Sequence, residues 1–330
     1  MSNKIGFSFL ILITLFVFQS CKSDTVTVAS GDWVKESDLD GLARHAAVGF
    51  SINDMGYLGS GADEDNYKLS DFWQFDPTRN TWNQIADFPG APRTAAVAFS
   101  VGNKAYVGTG LDIEDNRLND FWEYNSTTDT WKQIADFPGS ARRNAVAFAI
   151  NGKGYVGSGF DGNYTKDFFS YDPASDSWEK VASIGGSKRE GAAAFVIDNK
   201  AYVGTGNNNG LSQTDLWQYD PANDLWTEMT GFEDNAISRS YGIGFSVNGK
   251  GYFAGSSTNN STWEYLPQQG SDDEGGTWTE ATGFEGTNRN YAVSWSINNR
   301  GYIATGSNGL SRFDDLWSFI PDVEVDDTNN

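Results

Sequence analysis

The sequence is 330 residues long and carries 44 acidic against 23 basic side chains, a formal net charge of −21. A field of this sign repels phosphate backbones and anionic lipid surfaces, so nucleic acid is not expected as a partner. The single cysteine and single histidine rule out an internal disulfide and any metal or haem site that needs two imidazoles. Aromatic residues make up 15% of the chain, which argues for a large buried core. We therefore expect a folded protein without a metal or cofactor.

The first 20 residues are predicted to be a lipoprotein signal peptide. Lys4 precedes the apolar run 5–18, which is short for a membrane span and typical of a signal-peptide core. Ser20-Cys21 follows, and this junction resembles a relaxed bacterial lipobox of the type found in Bacteroidetes lipoproteins, which implies that Cys21 is lipidated. We expect residues 21–30 to be a short linker. The chain would then be an outer-membrane lipoprotein, on the periplasmic or surface face, that contacts the membrane only through its anchor.

A repeat of about fifty residues runs through the rest of the chain. Its marker is a tyrosine in segments such as KAYVGTG and KGYVGSG, and successive copies lie 49, 49, 47, 50 and 50 residues apart. Because a fixed period of this length indicates a repeat architecture, we count six copies of one unit. The marker residues are Tyr57, Tyr106, Tyr155, Tyr202, Tyr252 and Tyr302.

Each unit is predicted to contain four antiparallel strands. The first two flank a step such as Asn53-Asp54, whose residue types tolerate positive φ and form tight hairpin turns. The strand before the turn is rich in small residues, as in AAVGF. Small side chains are needed where several sheets converge near one axis, so this strand is predicted to be the innermost. The third strand holds an aromatic pair such as Phe72-Trp73, and the fourth begins at a tryptophan such as Trp82. Six such sheets predict an all-β, six-bladed propeller over residues 31–321.

The last unit lacks a tryptophan for its fourth strand and ends in an acidic tail over residues 322–330. Trp33 instead stands before the first unit, eleven residues ahead of Arg44, which is also the spacing between Trp82 and Arg93. The strand around Trp33 is therefore predicted to complete the last blade. This pairing would close the ring and cover an edge that is otherwise open.

These features resemble the kelch-repeat superfamily. Four units have the kelch spacing of an aromatic residue, six residues and a tryptophan, as from Phe75 to Trp82, and the fifth unit lengthens it by an insertion. The kelch double glycine is altered, with its first glycine replaced in every unit. The pairs are Ser60-Gly61, Thr109-Gly110, Ser158-Gly159, Thr205-Gly206, Ser256-Ser257 and Thr305-Gly306. The resemblance implies the propeller fold but not one function, because kelch propellers serve as peptide binders, glycan-active enzymes and scaffolds.

An arginine stands thirteen residues before each marker tyrosine, where the inner strand begins. By ring symmetry the six arginines would surround one mouth of the central channel, and the kelch resemblance implies a binding face there for acidic ligands. Guanidinium groups bind carboxylates with two parallel hydrogen bonds, which gives specificity as well as charge. The predicted ligand-binding arginines are Arg44, Arg93, Arg142, Arg189, Arg239 and Arg289.

A structural alternative stays open for these arginines. An aspartate lies just before the third-strand aromatics in five units, and each arginine could pair with such a residue to join neighbouring blades. The fifth unit has Thr262 at the nearest place, which would leave Arg239 the most available to a ligand. The aspartates are Asp71, Asp120, Asp167, Asp215 and Asp315.

The residues next to the arginines differ between units, as expected for a ligand site on a symmetric scaffold. Arg143, Tyr241 and Tyr291 extend the predicted ligand-binding set, and Glu190 and His45 are the acid or base candidates there. The loops ADEDNYK, LDIEDNR and FDGNYTK carry clustered oxygens, but none has the spacing of an EF-hand, so no metal is predicted.

The leading hypothesis is a monomeric lipoprotein propeller that binds an acidic glycan or a partner protein at the arginine-rimmed face. The alternative is an enzyme. A looser resemblance to bacterial N-acetylneuraminate mutarotases implies interconversion of the anomers of a carboxylated sugar, with Glu190 moving the proton and Arg189 and Arg239 clamping the anion. Nucleophile triads and copper radical chemistry are disfavoured, because His45 is the only histidine.

Overall fold

The computed structural model describes residues 30–231, 239–256, 258–267, 275–326 and 328. The predicted signal peptide and Cys21 lie outside these residues. All regular elements of the described residues are strands. In chain order they are β1 Asp32–Lys35, β2 Val48–Ile52, β3 Met55–Gly59, β4 Phe72–Asp76, β5 Thr81–Ile85, β6 Val97–Val101, β7 Lys104–Gly108, β8 Phe121–Asn125, β9 Thr130–Ile134, β10 Val146–Ile150, β11 Lys153–Gly157, β12 Phe168–Asp172, β13 Ser177–Val181, β14 Ala193–Ile197, β15 Lys200–Gly204, β16 Asn207–Asn208, β17 Leu211–Ser212, β18 Leu216–Asp220, β19 Leu225–Met229, β20 Ile243–Val247, β21 Lys250–Ala254, β22 Thr262–Leu266, β23 Thr277–Ala281, β24 Val293–Ile297, β25 Arg300–Ala304 and β26 Leu316–Ile320.

The strands form six four-stranded antiparallel sheets, which confirms the six-bladed propeller. From the inner to the outer strand the sheets are β2-β3-β4-β5 (blade 1), β6-β7-β8-β9 (blade 2), β10-β11-β12-β13 (blade 3), β14-β15-β18-β19 (blade 4), β20-β21-β22-β23 (blade 5) and β24-β25-β26-β1 (blade 6). The short strands β16 and β17 form a separate two-stranded ribbon in a loop of blade 4.

The N-terminal strand closes the ring as the sequence predicts. β1 pairs antiparallel with β26, with Trp33 opposite Phe319, so the outer strand of blade 6 comes from the start of the chain. The Trp33 side chain is fully buried, and its indole Nε1 donates to the Thr282 carbonyl of blade 5 at 3.1 Å. The outer-strand tryptophans of the other five blades make the equivalent bond to the preceding blade. One indole hydrogen bond therefore crosses each boundary between blades.

The channel and the core follow from the alternation of side chains on each inner strand. In β2, Val48, Phe50 and Ile52 are buried, while Gly49 and Ser51 are half-buried, and Gly49 faces Val293 on the inner strand of blade 6. Phe50 stacks on the marker Tyr57 with ring centroids 5.1 Å apart, and the other blades repeat this stack. Small residues on the inner strands let the six strands approach one axis, and the aromatic stacks fill the wider space between the blades.

The two faces of the ring carry different loops. One face, here called the mouth face, carries the six repeat arginines, the loops that enter the inner strands and the loops between second and third strands. The opposite face, the hairpin face, carries the tight turns such as the one at Asn53-Asp54. Because Asp32 pairs with Ile320 at the end of a third strand, β1 begins on the hairpin face.

The register of blade 5 corrects two details of the sequence alignment. Trp263 of β22 pairs with Phe253 as Trp73 pairs with Leu58 in blade 1, so Ser261, not Thr262, occupies the aspartate position. β21 ends at Ala254, which places Gly255 at the first position of the altered double glycine. Gly255 therefore retains a glycine that the other five blades replace with serine or threonine. The loop between the second and third strands is shorter in this blade, with Trp263 11 residues after Tyr252 against 16 residues from Tyr57 to Trp73 in blade 1, and this hid the register in the sequence.

Candidate functional site

Five of the six repeat arginines are fully buried and bound to an aspartate. In the first four blades Nη1 and Nη2 each donate to one oxygen of the carboxylate at 2.6–3.0 Å. Blade 6 repeats the arrangement. Nη1 also donates to a backbone carbonyl, as in Arg44 to Ser60. The pairs are Arg44–Asp71, Arg93–Asp120, Arg142–Asp167, Arg189–Asp215 and Arg289–Asp315.

This arrangement corrects the expectation of a free positive crown. Arg44, Arg93, Arg142, Arg189 and Arg289 have no exposed surface, so a ligand in the channel mouth does not reach their guanidinium groups. The pairing alternative is the one observed, but each pair lies within one blade and does not join neighbours. The backbone makes that link, as where Gly61 N of blade 1 donates to the Arg93 carbonyl at 2.8 Å. These five arginines therefore hold the loops of the mouth face in place.

The ion pairs also set the protonation of the aspartates. Burial acts to raise the pKa of Asp120, but the hydrogen bonds and charge of Arg93 and the indole of Trp122 outweigh it and lower the pKa overall. The same balance lowers the pKa of the partners in blades 1, 4 and 6. These carboxylates are therefore ionised across the neutral range, and each neutralises its arginine.

Blade 5 holds its arginine differently. Arg239 is 2% exposed, Nη1 donates to the Ser261 carbonyl at 3.2 Å, and Nη2 donates to Ser261 Oγ at 3.0 Å. Burial lowers the pKa of Arg239 to about 10. The expectation that Arg239 is the arginine most available to a ligand is therefore corrected. Within the described residues the indole Nε1 of Trp263 has no hydrogen-bond partner, whereas Trp73 Nε1 donates to Asp71 in blade 1.

A closed ring of backbone hydrogen bonds surrounds the channel two residues after the arginines. The N–H of each member donates to the carbonyl of the member in the preceding blade at 2.9–3.0 Å, and the sixth bond returns to the first blade. All six members have φ between 49° and 62°. We call this ring the throat. Its members are Ala46, Ala95, Asn144, Gly191, Tyr241 and Tyr291.

The throat conformation is costly for the four members that are neither glycine nor asparagine, and the two largest of these are tyrosines. Glycine and asparagine adopt positive φ readily, as in blades 3 and 4, but a bulky residue there is an outlier. Tyr241 and Tyr291 both have φ of 57°. Strained backbone of this kind concentrates at functional sites, where the side chain serves a purpose other than packing.

Aromatic rings line one side of the throat, on blades 5, 6 and 1. Tyr241 and Tyr291 stack with ring centroids 4.3 Å apart, and His45 meets the Tyr291 ring edge-on at 6.0 Å. Tyr241 leans over Gly191, where an added Cβ would lie 2.3 Å from the Tyr241 ring. Gly191 therefore accommodates the tyrosine pair as well as the positive φ.

Polar groups line the side formed by blades 3 and 4. Glu190 is 4% exposed, and its Oε2 accepts a hydrogen bond from Asn144 Nδ2 at 2.8 Å. Arg143 Nε lies 3.4 Å from the same oxygen, and its guanidinium covers the Phe160 ring at 5.1 Å. A buried carboxylate held by an amide and a guanidinium is a fixed hydrogen-bond acceptor.

The remaining side of the throat is open. Ala46 and Ala95 contribute only methyl groups on blades 1 and 2, opposite the tyrosines and the carboxylate. A cavity of about 120 Å³ lies at this level and is lined by all six throat residues. Below it the channel has a volume of about 480 Å³ and is lined by inner-strand residues that are mostly Ala, Gly, Ser and Val.

Burial governs the titration of the aromatic groups. It raises the pKa of Tyr241, and the nearby Tyr291 and Glu190 add to the effect. Burial also raises the pKa of Tyr291. The pKa of His45 is lowered by burial and by Arg312, against a hydrogen bond with Ala62. Both phenols therefore keep their protons at neutral pH, and the imidazole is uncharged there.

The structure thus brings Arg143, Glu190, Tyr241, Tyr291 and His45 together around one throat. Their role in binding or catalysis remains a prediction. Asn144 was missed, although an asparagine two residues after the repeat arginine, where blade 4 has Gly191, indicates a positive φ. Among the described residues no group of His, Cys, Asp or Glu is arranged to hold a metal ion. In the same part of the chain no helix has the length and apolarity to cross a membrane.

Comparisons with known proteins agree with this architecture. The sequence model of the KLHDC2/KLHL20/DRC7 Kelch-repeats domain matches residues 14–188, more than half of the chain. The chain therefore belongs to this kelch-repeat family, which confirms the resemblance seen in the sequence. No curated protein sequence matches the chain. The solved structure of YjhT superposes with a TM-score of 0.72 at 19% identity, over 85% of this chain and 95% of that one. At this identity the likeness shows the fold alone.

Proposed function

We propose that this protein is a cell-envelope lipoprotein whose propeller binds the end of a glycan in the throat. The observation that carries the proposal is the asymmetry of the throat. A scaffold with six equivalent positions places two strained tyrosines and a buried carboxylate around an opening that Ala46 and Ala95 leave free. Packing alone gives no reason for the six positions to differ, whereas a site for one ligand does.

The groups of the throat match the chemistry of a sugar ring. Glu190, Asn144 and Arg143 offer fixed acceptors and donors for hydroxyl groups, and the Tyr291 and Tyr241 rings offer an apolar surface for C–H groups. A cavity of about 120 Å³ is small beside typical ligand pockets of roughly 300–1,000 Å³. The throat therefore fits one terminal ring, with the rest of the glycan extending over the mouth face.

The buried ion pairs change the expected charge of this glycan. Five arginines are neutralised by their own aspartates, and Arg143, beside the throat, lies next to Glu190. A carboxylated sugar would approach Glu190, and the cation nearest to that carboxylate, Arg143, already lies 3.4 Å from it. We therefore propose a neutral glycan in place of the acidic one.

The position of the N-terminus is compatible with a lipid anchor. β1 begins on the hairpin face, opposite the throat. A protein tethered through Cys21 would then present the throat away from the membrane, where a glycan can reach it. Replacing Cys21 with Ala should abolish incorporation of radiolabelled palmitate and release the protein from the membrane fraction. Unchanged membrane association of C21A would contradict the anchor.

The binding proposal is tested by screening the purified protein on an array of neutral, acidic and amino-bearing glycans, followed by calorimetry on the best neutral ligand. Glu190→Gln should weaken that ligand at least tenfold, because a hydrogen bond to a charged group contributes about 1.5–3 kcal/mol. Tyr291→Asn should also weaken it, because the substitution removes the apolar surface of the ring. Leu225→Ser, an exposed site on the hairpin face, is the matched control and should bind like the parent. Equal affinity for all three variants would remove the throat from the mechanism.

A mutarotase is the second candidate, supported by one observation. Glu190 is a buried carboxylate near the Tyr241 phenol, an arrangement that could donate and accept a proton. The anion clamp expected from Arg189 is absent from the throat, because that guanidinium is bound to Asp215. Anomer exchange of sialic acid followed by NMR decides the question, since a rate equal to that in buffer rules this candidate out.

A further inference from the structure

The five most exposed large apolar side chains of the described residues lie on the mouth face; Leu211, on the ribbon of blade 4, is 72% exposed and stands apart from the other four. Four of them occur on three consecutive blades: Leu310 on blade 6, Leu42 and Tyr67 on blade 1, and Ile113 on blade 2. Their exposed fractions are 88%, 57%, 69% and 67%. Single exposed apolar residues need no explanation, but a set at the tips of neighbouring loops on one face does. We call this set the crescent.

The loops that carry the crescent are fixed to one another. Arg312 Nη2 of blade 6 donates to Asn66 Oδ1 of blade 1 at 3.2 Å. Lys68 Nζ of blade 1 bonds to Asp115 Oδ1 of blade 2 at 2.6 Å. Within its own loop Tyr67 N donates to Asp63 Oδ1 at 2.9 Å. The apolar tips are thus held in place towards solvent, so a partner would not have to order these loops on binding.

Carboxylates surround the apolar tips. Glu64 and Asp65 are exposed next to Tyr67, Glu114 is exposed next to Ile113, and Asp40 is exposed near Leu42. Three cations lie on these loops: Lys68 pairs with Asp115, Arg312 donates to Ser307 and Asn66, and the guanidinium of Arg117 lies 6.0 Å from the Phe160 ring of blade 3. The surface that remains combines large apolar side chains with negative charge.

We propose that the crescent docks a basic polypeptide segment with interspersed apolar side chains. Apolar side chains of the partner would bury Leu310, Leu42, Tyr67 and Ile113, while its lysines and arginines would face the carboxylates. The negative charge of this surface excludes nucleic acid and anionic lipid as the partner. The crescent extends over three blades, which is farther than a small molecule reaches. This site is separate from the throat, so the partner could be a protein that also carries the bound glycan.

The test uses the purified full chain and a phage library of random dodecapeptides. Selected peptides should be enriched in Lys or Arg together with Leu, Phe or Tyr, and a synthetic consensus peptide should be titrated by calorimetry. The double variant Y67S/I113S should weaken the peptide at least tenfold, and so should the charge variant E64Q/D65N/E114Q. Raising NaCl from 50 to 500 mM should weaken the parent complex to a similar extent.

Two controls separate this proposal from the others. Leu225→Ser removes an apolar side chain of similar exposure from the hairpin face and should leave peptide binding unchanged. Glu190→Gln should also leave it unchanged, although it weakens the glycan. The proposal would be overturned if the selected peptides were acidic, or if the consensus peptide bound the parent and Y67S/I113S equally well. It would also be overturned if the library gave no more enrichment on the parent than on Y67S/I113S. A dimer of the parent in sedimentation that Y67S/I113S abolishes would also overturn it, because the occupant would then be a second copy.

Discussion

Blades 2 and 5 have the same order of four antiparallel strands but hold their arginines in different ways. In blade 2 a carboxylate grips Arg93 with two hydrogen bonds and also accepts the indole of Trp122. In blade 5 a serine stands at that position, and Arg239 bonds to Ser261 through a hydroxyl and a carbonyl. The strand pairing is the same in both blades, so the fold does not depend on the aspartate.

The difference shows which parts of a repeat are structural and which are free to change. Asp120 satisfies a buried cation and a buried indole at once, whereas blade 5 leaves Trp263 Nε1 without a partner among the described residues. Blade 5 also has a bulky residue in the throat, Tyr241, where blade 2 has Ala95. The irregular blade is therefore one of those that supply the candidate ligand groups.

Removing the carboxylate of blade 2 should have the largest effect. Asp120→Ala leaves the Arg93 guanidinium buried and uncompensated, which costs about 3–5 kcal/mol. Ser261→Ala removes two hydrogen bonds in blade 5, the one accepted from Arg239 and the one donated to Asn259 Oδ1, and should cost about 1–3 kcal/mol. Urea unfolding of the two variants measures the difference directly. Asp136→Ala, an exposed carboxylate, is the control and should stay within about 0.5 kcal/mol of the parent.

Installing the missing aspartate in blade 5 should have the opposite sign. Ser261→Asp places a carboxylate where Arg239 and Trp263 Nε1 lie, and by analogy with blade 2 it should stabilise the protein by about 1–3 kcal/mol. Ser261→Asn has nearly the same shape without the charge and should gain less. A destabilised S261D variant would show that the two blades are not equivalent at this position.

Acid should weaken the blades that contain an aspartate. The pKa of Asp120 is lowered in the folded protein, because Arg93 and Trp122 outweigh the effect of burial. Its contribution to stability is therefore complete above the unfolded pKa of about 3.9 and is lost as the pH falls through the lower folded value.

The measurement is the free energy of unfolding between pH 6 and pH 2.5. Asp120→Asn should be less stable than the parent at pH 6, and its stability should fall less steeply below about pH 4. Ser261→Asp should fall more steeply than the parent. Parallel curves for the parent and D120N would mean that this ion pair does not contribute to the acid sensitivity.

The sequence predicted the architecture because each repeat carries several independent markers. The tyrosine, arginine and tryptophan registers agree in nearly every blade, so the blade number and the closure by Trp33 followed from spacing alone. Spacing failed in blade 5, where a shorter loop between the second and third strands moved the alignment from Ser261 to Thr262. Equivalent positions also offered an aspartate partner for five of the arginines as one of two alternatives, but did not show that each pair is buried within one blade.

The throat was predictable in part. Divergence next to a conserved register identified Glu190, Arg143, Tyr241 and Tyr291, since side chains that break a symmetric pattern have a local reason. The ring of backbone hydrogen bonds was not predictable, because alanine and tyrosine give no sign of positive φ. Only Asn144 and Gly191 are of residue types that adopt positive φ readily. The geometry is imposed by the six inner strands as they converge, which is a tertiary effect.

The smallest effect on stability is expected for Tyr241, the throat residue of blade 5, whose counterpart in blade 2 is Ala95. Tyr241→Ala converts the throat residue of blade 5 to that of blade 2 and keeps the positive φ. It removes a stack worth about 0.5–1.5 kcal/mol, so the free energy of unfolding should fall by less than about 2 kcal/mol. Tyr219→Ala, a buried tyrosine with no such strain, should cost about 3–5 kcal/mol in the same measurement. If Tyr241→Ala is as damaging as Tyr219→Ala, the throat tyrosine is a packing residue, and the strain at Tyr241 has no functional meaning.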